Sequence, residues 1–214
     1  MLADLLSRIK WLGHDGFEIV TDGPVLMIDP FQVNSDRKAD VILITHPHYD
    51  HCSVEDIARL ATPSTVIVTE AESAAMLAAA KLGGDIRVVK PGDRLTVVGI
   101  PIEAVAAYNI DKNFHPKEKN WLGFVVTVEG VRIYHAGDTD MIPEMDHLAA
   151  DIALLPVSGT YVMTADEAVA AARRIKPKTA IPMHYDSIVG THADAERFSK
   201  ALAGTCDIVF PTRG

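Results

Sequence analysis

The chain has 214 residues, 48% of them hydrophobic, enough to bury a sizeable core, and one domain over 1–214 is expected. A formal net charge of -9 and a pI near 5.4 argue against a nucleic-acid footprint spread over the surface, so an anionic substrate has to be attracted locally. Cys52 and Cys206 are too few for a disulfide framework, no apolar run approaches a membrane span, and Asp4, Ser7 and Arg8 interrupt the apolar N-terminus before it can act as a signal peptide; a cytoplasmic setting is expected.

In chain order, residues 9–29 read as two strands, 17–21 and 25–29, joined by Asp22-Gly23-Pro24, whose Asp-Gly pair supplies the positive φ of a tight hairpin. The next strand, 41–45, is the centre of the pattern. It runs straight into a turn that carries His46, His48, Asp50 and His51 within six positions, and Ser53 then reads as the N-cap of a helix over 54–61. Neutral imidazoles and a carboxylate are the ligand set for zinc, iron or manganese, and they are too polar to pack together in a core without a cation or several hydrogen bonds. Their spacing divides them: His46 and His48 can turn to one cation, Asp50 and His51 to a second. A β-branched strand follows at 65–69, then an alanine-rich helix over 71–82 stopped by Gly83-Gly84. Strands at 86–89, 95–98 and 102–107 lead into an irregular segment, 108–120. Its Lys112, His115, Lys117 and Lys119 form the densest basic patch near the ligand turn and could steer a phosphate towards it.

A repetition links the two halves. Gly16-Phe17 and Gly23 recur as Gly123-Phe124 and Gly130, and Ala39-Asp40-Val41 as Ala150-Asp151-Ile152. Strand 131–134 ends in His135-Ala136-Gly137-Asp138, where Gly137 permits close approach of the backbone and Asp138 can bridge two cations. Helix 164–175 opens with a capping box of Thr164 and Glu167, strand 179–183 delivers His184, and helix 192–203 and strand 206–210 close the chain. Two ββα-type halves packed sheet on sheet, helices outside and strand ends meeting at one edge, account for the repetition.

Thr45-His46-Pro47-His48-Tyr49-Asp50-His51, then Gly137-Asp138-Thr139, then a strand-end His184 resemble the ordered motifs of the metallo-β-lactamase superfamily of metal-dependent hydrolases. The resemblance implies an α/β protein, an αβ/βα sandwich of two mixed sheets with helices on the outer faces and a one- or two-metal site on its edge. By position, His46 and His48 would hold the first metal, Asp50, His51 and His184 the second, and Asp138 would bridge them. Leu12-Gly13-His14 and the compact length are similar to the branch containing ascorbate-6-phosphate lactonase-like and N-acylphosphatidylethanolamine phospholipase-like proteins. Asp29 is expected to orient a ligating imidazole, and His14 either to touch substrate or to be structural; His135, His147 and His192 are read as structural.

The chain departs from the family at the third ligand of the first metal, where Tyr108-Asn109 stands in place of a histidine. Two placements are open: the irregular segment folds back so that His115 completes the site, or Asn109 binds through its amide oxygen or leaves the position open. Two divalent ions, zinc first with manganese or iron as alternatives, would lower the pKa of a bound water from near 15.7 toward roughly 7, with Asp50 orienting it and taking its proton. The expected substrate is an ester, lactone, amide or phosphodiester of a small, anionic metabolite. A nuclease lacks an added RNA-binding domain or basic arm here, a diiron electron-transfer protein would place Glu within the turn, and a non-catalytic scaffold sits poorly with so full a ligand set. A homo-oligomer is compatible with the sequence, which does not set the oligomeric state.

Overall fold

The apolar run that precedes the ligand turn is covered on both faces, and that requirement organises the architecture. In a computed structural model, which describes residues 2–82 and 84–214, Val41, Ile42 and Leu43 are all 0% exposed. Parallel strands carry their crossover helices on the sheet faces and so read as unbroken hydrophobic runs.

The first half comprises α1 (Leu2–Ser7), β1 (Ile9–Gly13), β2 (Gly16–Val20), β3 (Val25–Ile28), β4 (Val41–Leu43), α2 (Val54–Leu60), β5 (Val66–Thr69), α3 (Ala71–Ala79) and β6 (Asp85–Val88). The second comprises β7 (Arg94–Val97), β8 (Ile100–Ala106), β9 (Leu122–Val128), β10 (Val131–His135), β11 (Ile152–Pro156), α4 (Ala165–Ile175), β12 (Thr179–Met183), α5 (His192–Leu202) and β13 (Asp207–Ile208). One sheet has the order β1-β2-β3-β4-β5-β6, the other β13-β12-β11-β10-β9-β8-β7. Each is antiparallel through a hairpin and parallel beyond it, so that β2 to β6 correspond to β9 to β13. This is the repetition carried by the paired Gly-Phe motifs.

Side-chain parity builds the layers. Val41 and Leu43 join Leu26, Ile28, Phe124 and Ile133 in the core between the sheets, whereas Ile42 and Ile44 pack with Ile57 and Leu60 of α2 and Leu77 of α3. On the second sheet α4 lies against β11 and α5 against β12 and β13. The architecture is therefore α/β, two mixed sheets with helices outside, as expected. The predicted caps also form: Ser53 Oγ accepts from Asp56 N at 3.3 Å, and Thr164 and Glu167 exchange both bonds of a capping box.

Two differences from the expected elements have physical causes. Residues 9–13, given no strand of their own in the sequence reading, form one paired with β2, because Ile9, Trp11 and Leu12 are buried in the core by tertiary packing. The helix expected over 71–82 ends at Ala79, where Ala80 caps it and Lys81 turns left-handed at φ 58°; the expected stop at Gly83 lies outside the described residues. Pro182 sits inside β12 without breaking a ladder. It shares the parity of Ala180, whose carbonyl accepts from Val209 N at 3.2 Å, and β13 pairs with Thr179 and Ala180 only, so the missing N–H faces a side with no strand among the described residues.

Candidate metal centre

The candidate residues gather where strands of both sheets end. His14 and Asp15 follow β1, Asp29 follows β3, His46, His48, Asp50 and His51 follow β4, Asp138 follows β10 and His184 follows β12. Turning the chain sharply off these strands uses left-handed backbone: φ is 50° at His14, 43° at Asp29, 62° at Gly137 and 61° at His184. Each non-glycine residue in that region costs roughly 1–2 kcal/mol, strain of the kind that persists where surrounding structure imposes it. His115 arrives from the irregular segment between β8 and β9 and is 1% exposed.

His46, His51, His115 and His184 are each held through Nδ1, which leaves Nε2 to face inward, whereas His48 brings its Nδ1 to 2.9 Å from His46 Nε2. Thr45 N–H and O–H donate to Asp29 at 2.8 and 2.6 Å. With its proton spent there, the Thr45 hydroxyl accepts from His46 Nδ1–H at 3.0 Å, so His46 Nε2 carries a lone pair. Asp29 Oδ2 also accepts from His51 Nδ1–H at 2.8 Å. Asn109 donates through Nδ2 to Asp140 Oδ1 and the Tyr161 carbonyl, which fixes its Oδ1 as the acceptor from His115 Nδ1–H at 3.1 Å and from His115 N at 2.9 Å. Ser158 Oγ lies 2.8 Å from His184 Nδ1. Partners of this kind set tautomer and ring orientation at metal-ligating histidines.

The inward atoms fall into groups whose members all lie within 4.8 Å of one another: His46, His48 and His115; Asp15, His51, Asp138 and His184; and His14 with His51 and His184. Asp138 stands between them, with Oδ2 at 3.1 Å from His115 Nε2 and 3.4 Å from His184 Nε2, and Oδ1 at 3.5 Å from His51 Nε2. His51, His115 and His184 Nε2 and Asp138 Oδ1 are buried without a hydrogen-bond partner among the described residues. Converging lone pairs and carboxylate oxygens that answer no donor fit a cation, and their polarity would otherwise be costly to bury. Burial raises the Asp138 carboxyl, but His184, His51 and His115 outweigh it and hold it well below the carboxylate range. Burial lowers the His51 imidazole, and Asp138 and Asp29 reverse that to place it well above the usual value. His46 and His48 are pushed down, chiefly by burial.

The folded chain bears on each open expectation. His115, and not Asn109, stands with His46 and His48; Asn109 is occupied behind the His115 ring. Asp50, expected beside His51 and His184, falls in none of these groups: its Oδ2 is 3.0 Å from His14 Nε2 and 3.9 Å from His51 Nε2. His14, expected either to touch substrate or to be structural, is 1% exposed and faces Asp50 from within the cluster, because its left-handed turn folds the ring under the rim. The basic patch expected to steer an anion is neutralised. Lys112 pairs with Asp140 at 2.6 Å, Lys117 with Glu144 at 3.0 Å and Lys119 with Glu72 at 2.6 Å.

A cavity of about 290 Å³ opens on the cluster. His48, Asp50, His115 and Asp138 form its floor and Tyr49, Phe114, Tyr161 and Ile188 its walls. Phe114 and Tyr161 meet edge to face with centroids 4.7 Å apart. A larger groove of about 390 Å³ along β8, Trp121 and Ile142 has none of the inward-facing ligands in its lining.

Sequence reasoning missed Asp15. Its signal was present, an acidic residue beside His14 in Gly13-His14-Asp15-Gly16, but without β1 as a strand nothing aimed that turn at the cluster. The roles of Asn109 and Ser158 depend on contacts distant in sequence and had no local signature.

The model of the beta-lactamase superfamily domain matches residues 8–184. A UPF0173 metal-dependent hydrolase from Thermoplasma acidophilum is 36% identical over 92% of this chain and 91% of its own length. Another from Staphylothermus marinus is 35% identical over 94% of this chain and 92% of its own. A solved structure from Parabacteroides distasonis, described as a metal-dependent hydrolase, superposes with a TM-score of 0.84 at 33% identity, covering 96% of this chain and 93% of that one.

Proposed function

This chain belongs to the beta-lactamase superfamily as a metal-dependent hydrolase, and from that premise we propose that it hydrolyses an ester, lactone or amide bond of a small molecule with an apolar group, using two divalent cations. His46, His48 and His115 would hold the first cation and His51 and His184 the second, with the Asp138 carboxylate between the two groups. Zinc suits the imidazole-rich first position, with manganese or iron as alternatives. Bound there, such cations would supply a nucleophilic water near neutral pH and a charge to polarise the oxygen of the bond attacked.

The remaining work falls to side chains of this chain. Asp50, its side chain 15% exposed at the cavity floor, accepts the proton of the attacking water, and His14 at 3.0 Å positions it. Burial raises the Asp50 carboxyl, and His14 and His51 more than offset it, so the group is ionised at neutral pH. Phe114, Tyr161, Tyr49 and Ile188 receive the apolar part of the substrate and keep bulk water from the reacting bond. The paired lysines speak against selection of an anionic metabolite at the cavity mouth.

The observation that carries this reading is the convergence of unpartnered imidazole and carboxylate atoms on the floor of a cavity with aromatic walls. Elemental analysis of the purified protein, together with a screen of lactones, esters, amides and phosphodiesters graded by apolar group and charge, tests it. Two equivalents of transition metal and turnover that rises with apolar size are expected, abolished in His48→Ala. Turnover that survives in that variant removes the mechanism, and a preference for phosphodiesters removes the substrate class.

A further inference from the structure

Asp15 is 0% exposed, and neither carboxylate oxygen has a hydrogen-bond partner among the described residues. Its main chain is held firmly. The Asp15 carbonyl accepts from His135 Nε2–H at 2.8 Å, and a Cβ on the next residue, Gly16, would lie only 3.0 Å from the Asp29 carbonyl and 3.1 Å from that of Gly13. So fixed, the side chain is delivered to His51, Asp138 and His184, with all four ligand atoms within 4.8 Å of one another.

Another buried carboxylate provides a contrast. Glu18, also with unpartnered oxygens, has Lys10 Nζ at 3.6 Å and Arg37 Nε at 3.5 Å to answer its charge. Among the described residues Asp15 forms no such ion pair. Two carboxylates buried side by side repel each other unless a positive charge or a proton lies between them. Two imidazoles aimed at the same point, their Nε2 atoms unpartnered among the described residues, complete a donor set that a bound cation fits.

We propose that Asp15 is a ligand of the second cation, beside His51, His184 and Asp138. The inference rests on the metal-centre reading above. It makes the second position richer in oxygen than the three-imidazole first position, which suits a harder ion such as Mn²⁺ or Fe²⁺.

The test is titration of chelator-stripped wild type and Asp15→Asn with Mn²⁺, free ion being read by electron paramagnetic resonance and folding by circular dichroism. Wild type is expected to take up two equivalents, and the near-isosteric variant to keep one and lose the other, its dissociation constant rising by about 100-fold or more, beyond the effect of outer-shell changes. A folded variant that binds both equivalents with unchanged affinity overturns the role of Asp15 alone. Wild type that takes up no second equivalent overturns the two-metal reading as well. Should the variant not fold, a crystal structure of metal-loaded wild type decides: an Asp15 oxygen about 2.0–2.2 Å from the ion supports the assignment, and one beyond about 3 Å overturns it.

Discussion

Gly137 shows how little freedom single residues have at this rim. Its φ is 62°, and a Cβ there would lie 2.5 Å from the Leu122 carbonyl and 3.2 Å from Thr45 Cγ2. The first contact is with backbone, which cannot swing aside, and Thr45 is the residue that holds both Asp29 and His46. Gly137→Ala is therefore expected to cost at least about 2 kcal/mol, from strained φ and overpacking together. Urea denaturation measures this, and an unchanged midpoint would show that β9 and β10 can separate more easily than the packing indicates. Asp29 works at the same scale. It accepts from Thr45 twice and from His51 once, so a single carboxylate orients His51 directly and His46 through the Thr45 hydroxyl.

At the scale of elements, α2 supports the ligand turn from below. Asp56 in its first turn accepts from Gln32 N at 2.8 Å, Val33 N at 3.1 Å, Ser53 Oγ at 2.7 Å and Arg59 at 2.8 Å, joining the helix to the loop after β3. Burial raises the Asp56 carboxyl, but Ser53, Arg59 and the two amides outweigh it, and its pKa lies below the ordinary carboxylate value. A carboxyl depressed in the folded state stabilises above its unfolded pKa, and that contribution is lost as pH falls through the folded value. Asp56→Asn is thus expected to cost about 1–3 kcal/mol at neutral pH. The gap from wild type should shrink once the pH drops below about 4. Paired denaturation curves at pH 7 and pH 3 test it; a gap that is constant or widens in acid assigns the role to shape and not to charge.

For the whole molecule, the decisive fact is that the candidate ligands come from both sheets. His46, His48 and His51 follow β4 in one, Asp138 and His184 follow β10 and β12 in the other. Direct ties across this rim are few and specific, among them Leu122 N to the Thr45 carbonyl at 3.0 Å and His184 N to the His14 carbonyl at 3.1 Å. Bound cations would fasten the sheets at the edge where the strands diverge, and their removal would leave buried lone pairs and carboxylates facing one another. Stripping with a chelator is expected to lower the melting temperature and restored Zn²⁺ to raise it. An ion at one hundred times its dissociation constant adds about 2.7 kcal/mol. For a chain of this size that is a shift of about 5–10 °C. Scanning calorimetry with and without metal measures it, and coincident melting curves would mean that the rim is held by protein contacts alone.

Local order made much of this legible before folding was considered. The run 41–45 with His46, His48, Asp50 and His51 behind it, the capping box of Thr164 and Glu167 and the paired Gly-Phe hairpins each lie within a few residues, where strand burial, hydrogen-bonding reach and turn geometry act directly. What they determine is the α/β class, the two halves and the position of the ligand turn at a strand end. Pairings over long sequence separations were decided only by the tertiary structure. The β1 strand brings Asp15 against Asp138, the fold of 108–120 puts His115 and not Asn109 beside His46, and Glu72, Asp140 and Glu144 take up the lysines that otherwise suggested an anionic substrate. A residue's type and its neighbours in sequence establish what it can bind, but which partner reaches it first is a question of chain path, and that is settled by how the two sheets close on each other.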